Sequence, residues 1–145
     1  MRALRAAACV AVVMVAMLPG RVAVAQAPAS RSAAQSTAAQ DDAGIRDTLK
    51  QYATALERLD ADAVKKVQPS IEVESLRKAF REMRALNVTI EDIRILAADA
   101  TMARVSCKVN QTLTPKAGSK QTTAVTRVMR LRRQVGSWII DSFER

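Results

Sequence analysis

The chain has 145 residues, with 23 Lys and Arg against 14 Asp and Glu, two cysteines and no histidine. That length builds one small domain and excludes a large multidomain enzyme. The absence of histidine excludes Ser-His-Asp and Cys-His catalysis and histidine metal sites, and two cysteines exclude a disulfide framework or a cysteine-rich zinc site. No metal and no cofactor are expected.

In chain order, Arg2 and Arg5 precede an unbroken apolar run from Ala6 to Leu18, which Pro19-Gly20 closes. Ala23-Val24-Ala25 then supplies the small-x-small pattern of a signal peptidase site, with Ala25-Gln26-Ala27 overlapping it. The run has 13 residues, against the roughly 20 needed to cross a bilayer as a helix. Residues 1–25 therefore read as a signal peptide, and the destination as the periplasm or the medium, with no membrane attachment after cleavage. Cys9 lies inside the apolar run and does not read as a lipid-attachment cysteine. Cleavage lowers the net charge from +9 to +6 and leaves Cys107 as the single thiol, which cannot form an internal disulfide. The Ala- and Arg-rich composition points to a bacterial source.

Residues 26–40 contain no large apolar side chain and read as a flexible spacer, so the domain is expected at 41–145. Asp41-Asp42 suits a helix N-terminus, and Ile45, Leu49, Tyr52, Leu56 and Leu59 form a stripe at helical spacing. Asp60 or Asp62 is placed to cap a short second helix carrying Val64 and Val67, ended by Pro69. Ser70 is placed to cap a third, with Val73, Leu76, Phe80 and Met83 on one face. After Asn87 the period becomes alternating. Val88 to Ile95 reads as a strand with a bulge or turn at Glu91-Asp92. Ala103, Val105, Cys107, Val109 and Leu113 share one parity of the clearest strand. Thr123 to Arg133 and Trp138 to Phe143 complete the set, joined by Val135-Gly136-Ser137. Helices followed by closely connected strands imply an α+β domain with an antiparallel sheet.

Three features together resemble the nuclear transport factor 2-like superfamily, in particular its SnoaL-like and small exported members. They are the mid-helix Tyr52, the segment ALERLDADAVKKV (residues 55–67) and the ending LRRQVGSWIIDSF (residues 131–143). The resemblance spans Ile45 to Phe143. It implies a cone in which three N-terminal helices pack in the concave face of a curved four-stranded antiparallel sheet, with a pocket at the wide end. It also implies that larger members carry two short strands between the second and third helices, where this chain has only Gln68-Pro69-Ser70-Ile71. Sheet-to-sheet homodimers are a further implication.

Enzymes of the resembling family use an Asp-His pair, or an Asp with a Tyr-containing oxyanion hole. The first is absent here, and Tyr52 is the candidate for the second. No carboxylate reads as its partner: Asp60 and Asp62 look like helix caps, Asp92 and Asp99 like turn residues, and Asp141 alternates on the last strand. Tyr52, Leu56, Phe80, Met83, Val105, Cys107, Met129, Trp138 and Ile140 are the residues expected to line a ligand pocket, with Cys107 a small buried hydrophobe rather than a reactive thiol. Arg104, Lys108, Arg127, Arg130, Arg132 and Arg133 read as a solvated basic sheet face. Only four aromatic residues exist and none interleaves with that cluster, so a nucleic-acid partner is not expected. The expectation is an exported, non-catalytic domain binding a small apolar ligand or a protein partner. The alternatives are a small isomerase, cyclase or dehydratase-like enzyme, or a dimerisation and interaction module.

Overall fold

The computed structural model describes residues 29–144; the signal peptide expected at residues 1–25 lies outside the described residues. Helix α1 spans Ala29–Glu57, α2 Ala61–Val67 and α3 Val73–Arg81. Strands β1 (Met83–Ala98), β2 (Met102–Pro115), β3 (Gln121–Gln134) and β4 (Ser137–Glu144) pair antiparallel in the order β1-β2-β3-β4. The expected fold class is what the chain adopts, an α+β domain of three helices on a curved, open antiparallel sheet.

The stripe on α1 is buried as its spacing requires, with Ile45 and Leu49 fully covered and Tyr52 and Leu56 nearly so. The helix begins before the Asp pair, so residues 29–40 of the expected spacer are helical. Alanine-rich sequence favours this even without an apolar face to bury. Asp41 and Asp42 consequently lie inside the helix rather than at its cap. Asp42 pairs with Arg46 one turn on, and Asp41 pairs with Arg133 of β3. The helix ends in a Schellman arrangement: Asp60 N–H donates to the Ala55 carbonyl, Leu59 N–H donates to that of Leu56, and Leu59 takes φ 54°.

Asp60 then caps α2, its carboxylate accepting from the N–H groups of Asp62 and Ala63. The cap of α3 is Glu72 and not Ser70, whose hydroxyl donates instead to the Asp141 carbonyl on β4. Met83 is the first residue of β1, not the last of the α3 face, and is only partly buried against the core.

The register of β1 shifts at Met83–Ala85, Glu91–Arg94 and Ile95–Ala97; the middle shift, with Asp92 at φ 51°, is the site where alternation breaks in the sequence. Along β2, Ala103, Val105, Cys107 and Val109 are all buried. Their partners on β3 are Leu131, Met129, Arg127 and Val125. The core lies between this concave face and the helices, and includes Val64, Phe80, Leu86, Val88, Trp138 and Ile140. Val135 (φ 48°) and Gly136 (φ 81°) close the β3–β4 hairpin, both left-handed as a two-residue I′ turn demands.

Candidate active site

Period-two alternation decides which side chains of β3 face the helices. Arg127 and Arg133 share the parity of Val125, Met129 and Leu131, whereas Arg130 and Arg132 point the other way. The single basic face expected from the sequence is therefore divided. On the convex side Arg104 and Arg130 clasp Glu144 from both flanks, at 2.6–2.9 Å for Arg104 and 2.8 Å for Arg130. The pair of guanidinium groups holds the Glu144 carboxyl down at about 2. Arg132 approaches Asp141 at 3.5 Å.

On the concave side Arg127 lies opposite the buried Cys107 in the register, with its guanidinium 5.8 Å from the Phe143 ring centroid. Phe143 enters through its pairing with Met129, and its ring centroid is 6.2 Å from that of Tyr52. Tyr52 reaches the same spot from α1. Burial pushes its phenol above the ordinary value and the Arg127 charge partly offsets this, so Tyr52 is a neutral O–H donor at physiological pH. Burial likewise raises the Cys107 thiol against the same Arg127 charge. With 1% of its surface exposed, Cys107 is no nucleophile.

The nine residues expected to line a pocket come together, as members of one apolar cluster. Tyr52, Leu56, Phe80, Val105, Cys107, Met129, Trp138 and Ile140 are buried in it and Met83 packs on its edge. Tyr52 is the member among them that meets both Arg127 and Phe143, two residues the sequence reading did not single out for the site. Parity was the available signal for Arg127. It stands two residues from Val125 and from Met129 on a strand whose apolar positions define the inner face. Several carboxylates of the sheet and its turns are engaged elsewhere: Glu144 by Arg104 and Arg130, Asp141 beside Arg132, Glu91 by Asn110 Nδ2, and Asp99 in its own turn, where the Thr101 and Met102 N–H groups hold its carboxyl below the usual range.

No family model matches the chain, and no curated protein matches it by sequence. Solved structures do match. One is a protein from Novosphingobium aromaticivorans provisionally assigned as a scytalone dehydratase, at TM-score 0.66 and 12% identity, covering 76% of this chain and 85% of that one. Another, from Streptomyces avermitilis, is provisionally assigned as a dehydratase of the nuclear transport factor 2-like family; it matches at TM-score 0.62 and 14% identity, covering 72% and 94% of the two chains. The fold is that of the nuclear transport factor 2-like superfamily. The hexachlorocyclohexane dehydrochlorinase LinA-type3 from Novosphingobium barchaimii shares it at TM-score 0.57 and 11% identity, covering 72% of this chain and 84% of that one.

Most of these matching structures are named as enzymes, which overturns the sequence-based reading of a non-catalytic binding domain. That reading rested on the lack of a histidine and of a carboxylate near Tyr52. It counted Arg127 on the solvated face, and so left out the charge that the concave side does carry.

Proposed function

We propose that the protein is a small enzyme of the isomerase, cyclase or dehydratase kind, acting on a compact, largely apolar carbonyl compound held against the concave face. The observation that carries this is the convergence of a buried neutral phenol, Tyr52, and a guanidinium, Arg127, over the apolar wall of Phe143, Met129 and Val109. Both groups are donors aimed at chemistry in which negative charge grows on oxygen. In enolisation or in β-elimination of water, the substrate carbonyl becomes an enolate. Tyr52 O–H donates to that oxygen and Arg127 supplies the compensating charge. Activation is electrophilic, which suits substrates whose C–H is already acidic, such as β-hydroxy ketones and 1,3-dicarbonyls. Water takes the C–H proton; in elimination the resulting hydronium gives it to the hydroxide that departs from the β-carbon, so that the enolate collapses to the enone and water leaves. Export is part of the proposal: the leader is removed near Ala25, and intact-mass measurement of the secreted protein should show a chain starting near Gln26. Recovery of a membrane-bound chain retaining Met1 would refute the export reading.

The catalytic reading is tested by turnover of a panel of β-hydroxy ketones and enolisable dicarbonyls. Removing one oxyanion donor typically costs about 100–1,000-fold in kcat. Tyr52→Phe should therefore lower kcat by about that factor with little change in KM, because the lost hydrogen bond strengthens mainly in the transition state. Arg127→Met should act in the same direction. A panel without turnover, or turnover unaffected by Tyr52→Phe, refutes the proposal.

A further inference from the structure

A strand is fully paired only where it has neighbours on both sides, and a bare edge presents unpaired N–H and C=O groups. Strand β4 pairs with β3 only from Val128 to Gln134. Residues 121–127 of β3 therefore have β2 on one side and, among the described residues, nothing bonded to the backbone on the other. All of them are exposed, so the helices do not cover this half of the β2–β3 hairpin. The other two edges of the sheet are blunted. Strand β1 shifts register three times, carries Arg84, Glu91, Asp92 and Arg94, and has the Val88 N–H taken by the Glu57 carboxylate at 3.2 Å. The β4 edge receives the Ser70 hydroxyl at the Asp141 carbonyl. Residues 121–127 have none of these devices. Their register with β2 runs without a shift, they include no proline, and their one charge, Arg127, stands at the end.

The side chains along this edge say what pairs with it. The segment QTTAVTR (residues 121–127) is rich in the β-branched residues that suit a strand, and it is self-complementary about Ala124. When two copies pair antiparallel about that point, Ala124 meets Ala124, Thr123 meets Val125, Thr122 meets Thr126 and Gln121 meets Arg127. Threonine–threonine and threonine–valine neighbours are favourable across strands, and no two like charges are opposed. That decides the occupant for a chain of net charge +9, whose copies repel over most approaches. We propose that the free edge of β3 binds the same edge of a second copy, joining two four-stranded sheets into one continuous sheet. The contact is two-fold symmetric and uses the one unblunted edge of each copy, so assembly closes at the dimer.

The folded protein is followed by sedimentation over several decades of concentration, with amide exchange of residues 121–127 read by NMR at both ends of the range. A reversible monomer–dimer equilibrium is expected. The alternate amides of residues 121–127 that point away from β2 should exchange about tenfold more slowly in the dimer, where each gains a carbonyl acceptor. Ala124→Lys sets two ammonium groups opposite each other on the axis. It should raise the dimer dissociation constant by about tenfold or more at unchanged circular dichroism. Tyr52→Phe should leave that constant unaltered, so this contact and the catalytic reading fail or stand separately. Four results overturn the proposal: a monomer at every concentration, growth beyond the dimer, a dimer whose edge amides exchange as fast as in the monomer, or association indifferent to Ala124→Lys.

Discussion

Gly44 offers a test of how tightly α1 is seated on the sheet. Within a helix, replacing glycine by alanine ordinarily stabilises by about 0.8–1.0 kcal/mol, because the unfolded chain loses freedom and the helix loses nothing. At Gly44 the added Cβ would stand 3.0 Å from Trp138 Cδ1, nearer than carbon atoms ordinarily pack. The indole has little room to retreat. It is 5% exposed, Arg133 covers its face, and the Thr48 hydroxyl lies 2.9 Å from the Trp138 carbonyl, tying the helix to this strand. Overpacking of a well-filled site costs about 1–3 kcal/mol. Set against the propensity gain, the expected net is a loss of up to about 2 kcal/mol. In urea, with slopes of about 1–3 kcal/mol per molar, that lowers the midpoint by some tenths of a molar or more. The neighbouring Ala43 is exposed on the same helix, so Ala43→Gly calibrates propensity without the clash. If Gly44→Ala raised the midpoint by as much as Ala43→Gly lowers it, the seating of Trp138 against α1 would be refuted.

Three further outcomes are expected. Val135 is 98% exposed at φ 48°, a conformation that is strained for a β-branched residue and suits asparagine in a two-residue hairpin; Val135→Asn should raise stability by about 1 kcal/mol in urea unfolding, and an unchanged midpoint would contradict that turn geometry. Glu144 has its carboxyl lowered from 4.5 to about 2 by Arg104 and Arg130, so its stabilising contribution is present above about pH 4.5 and is lost as the pH falls towards 2; Glu144→Gln should flatten the acid limb of the stability profile over that interval, and an unaltered limb would show the clasp to be without effect. Cys107, buried with a raised thiol, should resist an aromatic disulfide reagent in the native state and react on unfolding in urea, whereas rapid native labelling would contradict its place in the core.

Much of the fold is legible in the sequence because single periodicities dominate its elements. The spacing of Ile45, Leu49, Tyr52 and Leu56 and the alternation of Ala103 through Val109 each specify one buried face, and those faces are the ones buried. The α2 cap is legible too, since an aspartate before a short helix has one favourable use. Boundaries are less so. The stretch from Ala29 to Gln40 carries no burial pattern, and alanine content alone does not set a helix start. The candidate site is legible by half. Tyr52 stands out as the one tyrosine on a buried stripe, but Phe143 meets it only through the pairing of β4 with Met129, a long-range register. Arg127 was hidden by composition: four arginines within Arg127–Arg133 look like one basic face until strand parity is applied to each. Asp41–Arg133 joins residues 92 positions apart, a contact that no local pattern encodes.

The connection between α2 and α3 shows how so short a chain completes the architecture. Strand β4 is the edge of the sheet beyond β3. An edge strand with bare carbonyls is a template for unwanted pairing. Here Gln68 to Glu72 lies against that edge, and Ser70 donates to the Asp141 carbonyl at 2.8 Å. The loop is itself held by Lys65, whose ammonium donates to the Pro69 and Ile71 carbonyls at 2.5 and 2.9 Å. Gln68 and the partly buried Ile71 anchor its inner side. A lysine-braced loop thus satisfies an edge carbonyl. Phe143, at the other end of that strand, remains only partly buried against the core. Arg127 can therefore stand on the inner face with its charge still hydrated. That exposure is what makes a cation tolerable beside Tyr52.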